Sequence, residues 1–238
     1  MVMRPYTILI ICLTSVSTAW AHDFGTLIFE DTFDRTESQE EKDEPGNKWT
    51  TSSDKTAKGH KEVDLRDGQM YIYTHAEANH ATSVRQAFEF RDGTLGLRFK
   101  LEEEDDSLTL NFADLGLNSV WAGHLFKVTI GSDSVKITDQ KTGEMNLEIR
   151  DARKENLHSP RLKALLIKKS MTFPHKITVN EWHQIYTTVA GDKITCSIDG
   201  VTLGSFRSEG FAHQTKRLLR LLVPKNAYVD DVEIWRRN

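Results

Sequence analysis

The chain has 238 residues, and 31 Lys and Arg side chains stand against 35 Asp and Glu side chains, so its formal net charge at pH 7 is −4. An acidic balance without a basic stripe excludes a general nucleic-acid binder. Hydrophobic residues make up 38% of the chain, enough for one large core, and no linker divides the sequence. We therefore assign residues 22–238 to one domain.

The first 21 residues are predicted to be a secretory signal peptide. Arg4 precedes an apolar run from Tyr6 to Leu13, and the segment ends on Ala19-Trp20-Ala21. The run is shorter than the about 20 residues that a membrane-spanning helix needs, and no later stretch qualifies. We expect cleavage after Ala21 and a periplasmic or extracellular protein. Cys196 is then the one cysteine of the mature chain, which excludes an internal disulfide.

Alternation of apolar and polar residues recurs along most of the chain and predicts half-buried β-strands. Clear examples are Leu95–Leu101, Leu108–Phe112 and Phe126–Ile130. Asp-Gly pairs, such as Asp67-Gly68 and Asp199-Gly200, favour tight hairpins between strands. The pattern predicts an all-β fold, a jelly-roll sandwich of two antiparallel sheets. We expect a monomer.

Three segments depart from the alternation. Residues 36–59 are polar and contain Trp49, which predicts a long surface loop whose tryptophan packs on the core. Glu102–Asp106 is an acidic run between strands, typical of a solvated hairpin loop. Residues 142–169 have apolar side chains at helical spacing, and Ser159-Pro160 is a suitable helix start, so this stretch is predicted to be a helical insertion.

Several short sequence motifs occur in an order that is familiar from one superfamily. Glu30–Arg35 precedes Trp49, the hairpin Val63–Ile72 follows, Trp182–Gly200 comes late, and the chain closes on Val229–Trp235. This order resembles the concanavalin A-like (laminin G-like) lectin/glucanase superfamily, and within it the bacterial group that contains the 3-keto-disaccharide hydrolase domain. The resemblance covers about residues 27–236 and implies a jelly roll that acts on or recognises glycans. Fold alone does not establish an activity.

Glucanases of this superfamily carry two catalytic carboxylates on one strand, because retaining hydrolysis requires two carboxyl groups about 5 Å apart. The sequence has no such E-x-D-x-E pattern, and Glu102–Asp106 is the nearest candidate. The chain also lacks the group's glycine-rich opening before the tryptophan, and Leu110–Asp114 replaces its Asn-Ser-Gly strand. These departures put the transfer of a catalytic mechanism in doubt.

Three histidines are candidates for catalysis. His75 and His80 flank a loop with Glu77 and Asn79, where imidazoles act as bases or metal ligands, although a polar loop that merely contains histidines is the plain alternative. His124 begins another strand. It either faces the same cleft or, by parity with Phe126, points into the core.

Sheet parity supplies three candidate ligand-binding residues. Arg85, Arg98 and Asn111 each alternate with core-facing residues, so we expect them on one outer, concave face. Their donors suit sugar hydroxyls and acidic groups such as uronate or sulfate. The alternative is an ordinary solvated sheet face. Trp121 is a candidate aromatic platform for a sugar ring.

The resemblance also implies a structural calcium ion on the convex side. Asp230 in the closing strand and Gly68 in the early hairpin match the positions that supply carboxylate and carbonyl oxygens in relatives. The alternative is a β-bulge at Asp230-Asp231 without an ion.

Two functional hypotheses rank above a third. The first is a module that binds a glycan at the concave face through Arg85, Arg98 and Asn111. The second is an enzyme of the 3-keto-disaccharide hydrolase type, in which His75, His80 or His124 removes the proton next to the keto group. A structural or protein-interaction role is third.

Overall fold

A computed structural model describes residues 24–156 and 158–237. The predicted signal peptide therefore lies outside the described residues. Two antiparallel sheets pack face to face, as the alternating pattern predicts. The strands are numbered in chain order, and neighbouring strands are hydrogen-bonded to each other in the order given for each sheet. The larger sheet consists of β12 (Val201–Arg207), β11 (Lys193–Ile198), β10 (His183–Ala190), β5 (Asp92–Lys100), β14 (Asn226–Arg237), β3 (Gln69–Tyr73) and β2 (Val63–Arg66), with β1 (Thr26–Asp31) also paired to β14. The smaller sheet consists of β4 (Thr82–Phe90), β13 (Lys216–Val223), β6 (Ser107–Ala113), β7 (His124–Gly131), β8 (Ser134–Asp139) and β9 (Ser170–Pro174).

The chain changes sheet between consecutive strands in its middle part. β4 belongs to the six-stranded sheet, β5 to the eight-stranded sheet and β6 to the six-stranded sheet again. The inward side chains of both sheets form one core, which includes Leu97 and Phe99 from β5 and Leu110 and Phe112 from β6. The core assignment made from alternation is confirmed. The outer faces of β5 and β6 consequently lie on opposite sides of the molecule.

The long loop between β1 and β2 is held by its tryptophan. Trp49 is 5% exposed, and its Nε1 donates to Asp31 Oδ2 at 2.8 Å. Asp31 also accepts from Arg35 Nη1 at 2.6 Å and from the backbone N–H of Phe33 at 2.9 Å. The prediction that this loop packs its tryptophan on the core is confirmed, and the loop contains one helical turn, α1 (Ser53–Thr56).

The predicted helical insertion is present between β8 and β9. It consists of α2 (Leu147–Glu155) and α3 (Pro160–Lys168). Asn146 Oδ1 accepts from the N–H of Ile149 at 3.2 Å and caps α2, while Ser159 caps α3 and Pro160 takes the first helical position. Neither helix buries a residue, so both lie on the surface of the sandwich. In the part of the chain that the structure describes, no helix is long and apolar enough to cross a membrane.

Candidate functional site

One row of polar side chains runs straight across the outer face of the six-stranded sheet. The pairing register places Arg85 of β4 opposite Arg220 of β13, and Arg220 opposite Asn111 of β6. The same row continues through Lys127 of β7 and Thr138 of β8 to Ser170 of β9. Six strands at their usual spacing make this row about 24 Å long. We call these six residues the polar row.

Arg220 is the unusual member of the polar row because it is a buried cation. The residue is 7% exposed, and its Nη1 donates to Asn111 Oδ1 at 3.0 Å while Nη2 donates to the carbonyl of Ala122 at 2.8 Å. Burial, together with the charge of Arg85, lowers the pKa of Arg220 to about 10, so the side chain is still charged at neutral pH. Among the described residues, no carboxylate forms an ion pair with it.

Asn111 starts a chain of hydrogen bonds that leads away from Arg220. Its Nδ2 donates to Gln140 Oε1 at 2.6 Å, and Gln140 Nε2 donates to Glu144 Oε1 at 3.0 Å. Lys127 Nζ donates to the same Glu144 oxygen at 2.9 Å. Asn111 is 0% exposed and Gln140 is nearly so, so these bonds fix both amides. Burial raises the pKa of Glu144, but the contacts with Lys127 and Gln140 outweigh it and the pKa is lowered.

A β-bulge brings His124 onto this face. The pairing of β6 with β7 shifts between Phe112 and Ala113, so His124 lies opposite Ala113. Its Nδ1 lies 2.9 Å from Asn111 Oδ1. Nδ1 also lies 3.2 Å from Arg220 Nη1, a group that only donates, so the two contacts require different tautomers. We assign the hydrogen to Nδ1 on the shorter contact, because the amide oxygen of Asn111 only accepts, and this assignment leaves the lone pair on Nε2. The alternative that parity with Phe126 directs His124 into the core is therefore wrong.

His124 is neutral at physiological pH. Burial and then the positive charges of Arg220 and Lys127 lower its pKa to about 4. Among the described residues, Nε2 has no hydrogen-bond partner. The ring therefore offers an acceptor for a hydroxyl group beside the Arg220 guanidinium.

The turn before β7 forms one rim of the site. Ala122 has a positive φ of 50° and Gly123 one of 71°, and this conformation directs the Ala122 carbonyl to Arg220. Gly123 is required because a Cβ there would lie 2.4 Å from the Asp114 carbonyl oxygen. Trp121 is 54% exposed, and the guanidinium of Arg150 in α2 lies over one face of its ring, 4.7 Å from the ring centroid. An exposed aromatic ring thus stands beside the buried polar cluster.

The helical insertion closes the other end of the polar row. A cavity of about 360 Å³ lies between the sheet and the helices, lined on the sheet side by Lys127 and Thr138 and on the helix side by Arg153 and Ile167. Its lining has four basic side chains, Lys127, Lys136, Arg153 and Lys169, and two acidic ones, Asp139 and Glu144. Positive charge therefore predominates around this cavity, although the whole chain has a net negative charge.

The structure corrects the placement of Arg98. Parity correctly directs its side chain outward, but β5 belongs to the eight-stranded sheet, so Arg98 lies on the opposite side of the molecule from Arg85 and Asn111. It pairs with Asp231 at 3.2 Å and stacks on Trp182 at 4.8 Å. Alternation distinguishes the inner from the outer face of a strand, but it does not identify the sheet that the strand joins.

The structure places His75 and His80 apart from His124. Both lie in the loop between β3 and β4. The His75 ring stacks on His60 at 4.1 Å, and His80 is exposed with its Nδ1 2.6 Å from Asn79 Oδ1. In residues 24–156 and 158–237, neither ring hydrogen-bonds to the polar row. A catalytic role for these two residues stays a prediction.

Asp230 and Gly68, the predicted calcium residues, lie near one another and near Asp34. Gly68 turns the β2–β3 hairpin with a φ of 73°, and a Cβ there would lie 2.9 Å from Asp34 Oδ1. Asp230 precedes a bulge in β14. Burial and then the charges of Asp231 and Asp34 raise the pKa of Asp230. The candidate donors are carboxylate and carbonyl oxygens, which calcium prefers. The guanidinium of Arg98, 3.6 Å from Asp230, already compensates part of the negative charge at this position.

A second acidic cluster already contains its own cation. Glu37, Glu40 and Asp64 offer carboxylate oxygens within 4.8 Å of one another. Lys61 Nζ donates to all three, at 2.9, 2.9 and 2.8 Å. The ammonium group of Lys61 occupies the centre where a metal ion would bind, and Arg66 also pairs with Asp64, so the residues do not indicate a metal site.

No protein-family model matches the chain, and no curated protein matches it at the level of sequence. Solved structures do match it. The E144S mutant of SCLam, a non-specific endo-β-1,3(4)-glucanase from family GH16, aligns with a TM-score of 0.61 and 12% identity over 89% of this chain and 95% of that one. The Bacillus licheniformis β-glucanase aligns with a TM-score of 0.58 and 11% identity over 90% and 99%. The chain has the concanavalin A-like jelly-roll fold.

The same jelly roll occurs in a binding module. The carbohydrate-binding module CBM66 from Bacillus subtilis aligns with a TM-score of 0.50 and 11% identity over 77% of this chain and 92% of that one. Identities of 11–12% establish the fold alone, so the function must come from the residues of the site.

The sequence singled out Arg85, Asn111 and His124, but it missed Arg220, which contacts both Asn111 and His124. The prediction that Asn111 contacts a ligand is wrong, because Asn111 is 0% exposed and its amide is hydrogen-bonded to Gln140, Phe126, His124 and Arg220, so it positions its neighbours instead. Arg220 had a detectable signal, because it is one arginine inside the apolar run Leu218–Val223. An isolated charge in a strand with apolar neighbours on both sides indicates a special environment. Gln140 and Glu144 follow β8 in irregular backbone, where periodicity carries no information.

Proposed function

We propose that this protein binds carbohydrate on the outer face of its six-stranded sheet. The observation that carries the proposal is the polar cluster of Arg220, Asn111 and His124 beside the exposed ring of Trp121. Fixed hydrogen-bonding groups next to an aromatic platform are what a pyranose ring requires, because it has polar edges and apolar faces. The glycan-acting proteins that share the jelly roll support the proposal in general terms.

Binding is favoured over hydrolysis of the glucanase kind. Retaining and inverting mechanisms both require two carboxyl groups on either side of the scissile bond. The polar row contains no carboxylate, and Glu144 is the one acid in its hydrogen-bond network among the described residues. One carboxylate that is already paired with Lys127 does not supply both roles.

A glycan array followed by calorimetry tests the proposal. Trp121→Ala should weaken binding of an array hit by about 10-fold, since aromatic contacts contribute about 0.5–1.5 kcal/mol beyond burial. Trp182→Ala is the matched control, because Trp182 stacks with Arg98 on the outer face of the other sheet. Equal losses in the two variants would contradict a site on the six-stranded sheet.

A hydrolase of the 3-keto-disaccharide type is the second candidate, and the free Nε2 of His124 favours it. In that reaction Nε2 takes the C2 proton beside the keto group, and Arg220 stabilises the enolate oxygen. The ketone then re-forms as the electron pair moves into the C1–C2 bond, the C1–O bond breaks, and the imidazolium returns the proton to the departing oxygen. Addition of one water molecule across the C1–C2 double bond completes the hydrolysis. A pKa of about 4 makes His124 a weak base, so binding ranks first.

Turnover distinguishes the two candidates. A 3-keto-glycoside should be bound but not cleaved if the protein is a binding module. If it is cleaved, His124→Asn should abolish product formation while the sugar still binds, because only the transition state needs the base. His80→Asn is the control, since its exposed ring lies outside the cluster.

A further inference from the structure

Arg220 has hydrogen-bond donors that no described residue uses. Its two hydrogen bonds use one hydrogen of Nη1 and one hydrogen of Nη2. The Nε hydrogen and the second Nη2 hydrogen have no acceptor in residues 24–156 and 158–237. Nε and Nη2 lie on the same edge of the planar guanidinium group, and each keeps one hydrogen without a described acceptor, so this edge suits the two oxygens of one acidic group.

Electrostatics around this edge point to an anion. Arg85 lies directly opposite Arg220 across the β4–β13 pair, and like charges at opposed positions destabilise a sheet. Lys127 and Glu144 neutralise each other, which leaves the two arginines without a compensating acid in the described row. A buried cation is costly unless it is paired, so this arrangement is expected where a ligand supplies the missing charge.

The fixed geometry around Arg220 makes it a preorganised receptor. The Ala122 carbonyl and Asn111 Oδ1 each hold one terminal nitrogen of the guanidinium group, and the Asn111–Gln140–Glu144 chain holds Asn111. A side chain that is already immobilised loses little conformational entropy when a ligand binds. The edge of Arg220 formed by Nε and Nη2, where two hydrogens have no acceptor among the described residues, is the open edge that a ligand can use.

We propose that the ligand is an anionic glycan whose carboxylate or sulfate group is bound by the open edge of Arg220, with Arg85 adding its charge. The inference rests on the proposed carbohydrate site and names its ligand class. A uronate carboxylate and a sulfate ester present the same pair of oxygens, so both sources share this chemistry. His124 Nε2 then accepts from a hydroxyl group of the same sugar.

Calorimetry with matched sugar pairs tests the inference. One pair is a galacturonate oligosaccharide and the same chain with its carboxyl groups reduced to alcohols. The other is a sulfated galactose oligosaccharide and its desulfated form. The wild type should bind the acidic member of one pair about 10- to 100-fold more tightly, the range expected for hydrogen bonds to a charged group. The pair that shows the preference identifies the acidic group.

Two substitutions locate the preference. Arg220→Gln should remove it, because the variant has no charge and no two-donor edge. Arg217→Gln is the matched control on the same strand, since Arg217 is exposed and pairs with Glu89 at 3.2 Å. A preference that persists in Arg220→Gln would overturn the inference. If Arg220→Gln does not fold, Arg85→Gln replaces it and should reduce the preference, and an unchanged preference in that variant would contradict the inference.

The outcomes separate this inference from the proposed function. Equal binding of acidic and neutral members by the wild type would overturn the anionic ligand while leaving a carbohydrate site. Binding of no member of either pair, together with no hit on the glycan array, would overturn both.

Discussion

Acidification should destabilise the protein through His124. The folded structure keeps this imidazole neutral, because burial and the charges of Arg220 and Lys127 lower its pKa from 6.5 to about 4. In the unfolded chain the ring titrates near its ordinary pKa. Between these two pKa values the unfolded state binds the proton and the folded state does not. The stability that His124 provides is therefore complete above the unfolded pKa and is lost as the pH falls toward 4.

The size of the loss follows from the two pKa values. Their difference corresponds to about 3 kcal/mol in total, of which about 2 kcal/mol should be lost between about pH 7.5 and about pH 5. Other groups titrate over the same range, so the quantity of interest is the difference in unfolding free energy between the wild type and His124→Asn. Asparagine does not titrate, and its amide donates to Asn111 Oδ1 as Nδ1 does.

Urea unfolding followed by tryptophan fluorescence measures this difference at each pH. The advantage of the wild type over His124→Asn should shrink by about 2 kcal/mol on acidification. His158→Asn is the control, since His158 is exposed and should show no such change. If the difference in unfolding free energy between the wild type and His124→Asn does not change with pH, the buried, positively charged environment that we assign to His124 is refuted.

Three further predictions concern the core, a cation and export. Phe99→Ala should cost about 3–5 kcal/mol because the ring is fully buried, whereas Arg98→Ala should cost at most about 1 kcal/mol, and equal losses in urea unfolding would contradict the face assignment of β5. After chelator treatment, calcium should raise the melting temperature of the wild type but not of Asp230→Ala, and no response in the wild type would remove the predicted site. Mass spectrometry of the exported protein should find His22 at its N-terminus, and an intact Met1 would contradict the signal peptide.

The fold class could be predicted from the sequence because strands, turns and helix caps have local signatures. Alternation assigned Phe99 and Phe112 to the core, and the polar loop with Trp49 and the cap at Ser159 have local signatures. Each of these inferences uses a few consecutive residues and the geometry of one element.

The site could be predicted only in part because it depends on pairing between distant strands. Arg220 meets Asn111 through a β6–β13 register that joins residues more than a hundred positions apart, and no local pattern encodes it. Arg98 was misplaced for the same reason. His124 reaches the outer face through a bulge of one residue, and a single inserted residue reverses the parity on which the sequence argument depended.

The polar cluster departs from what stability alone would select. A buried arginine without a carboxylate partner raises the free energy of the folded state, and His124 does so once the pH falls below its unfolded pKa. Departures of this kind concentrate at functional sites, where ligand binding requires groups that a core would exclude. The surrounding sandwich, with its large apolar core, tolerates this cost.

A crystal structure of the protein with a glycan identified by the array tests the central claim most directly. The sugar should lie on the six-stranded sheet, with an oxygen within hydrogen-bonding distance of Arg220 and a ring against Trp121. A sugar on the outer face of the eight-stranded sheet, at Trp182 and Arg98, would contradict the account.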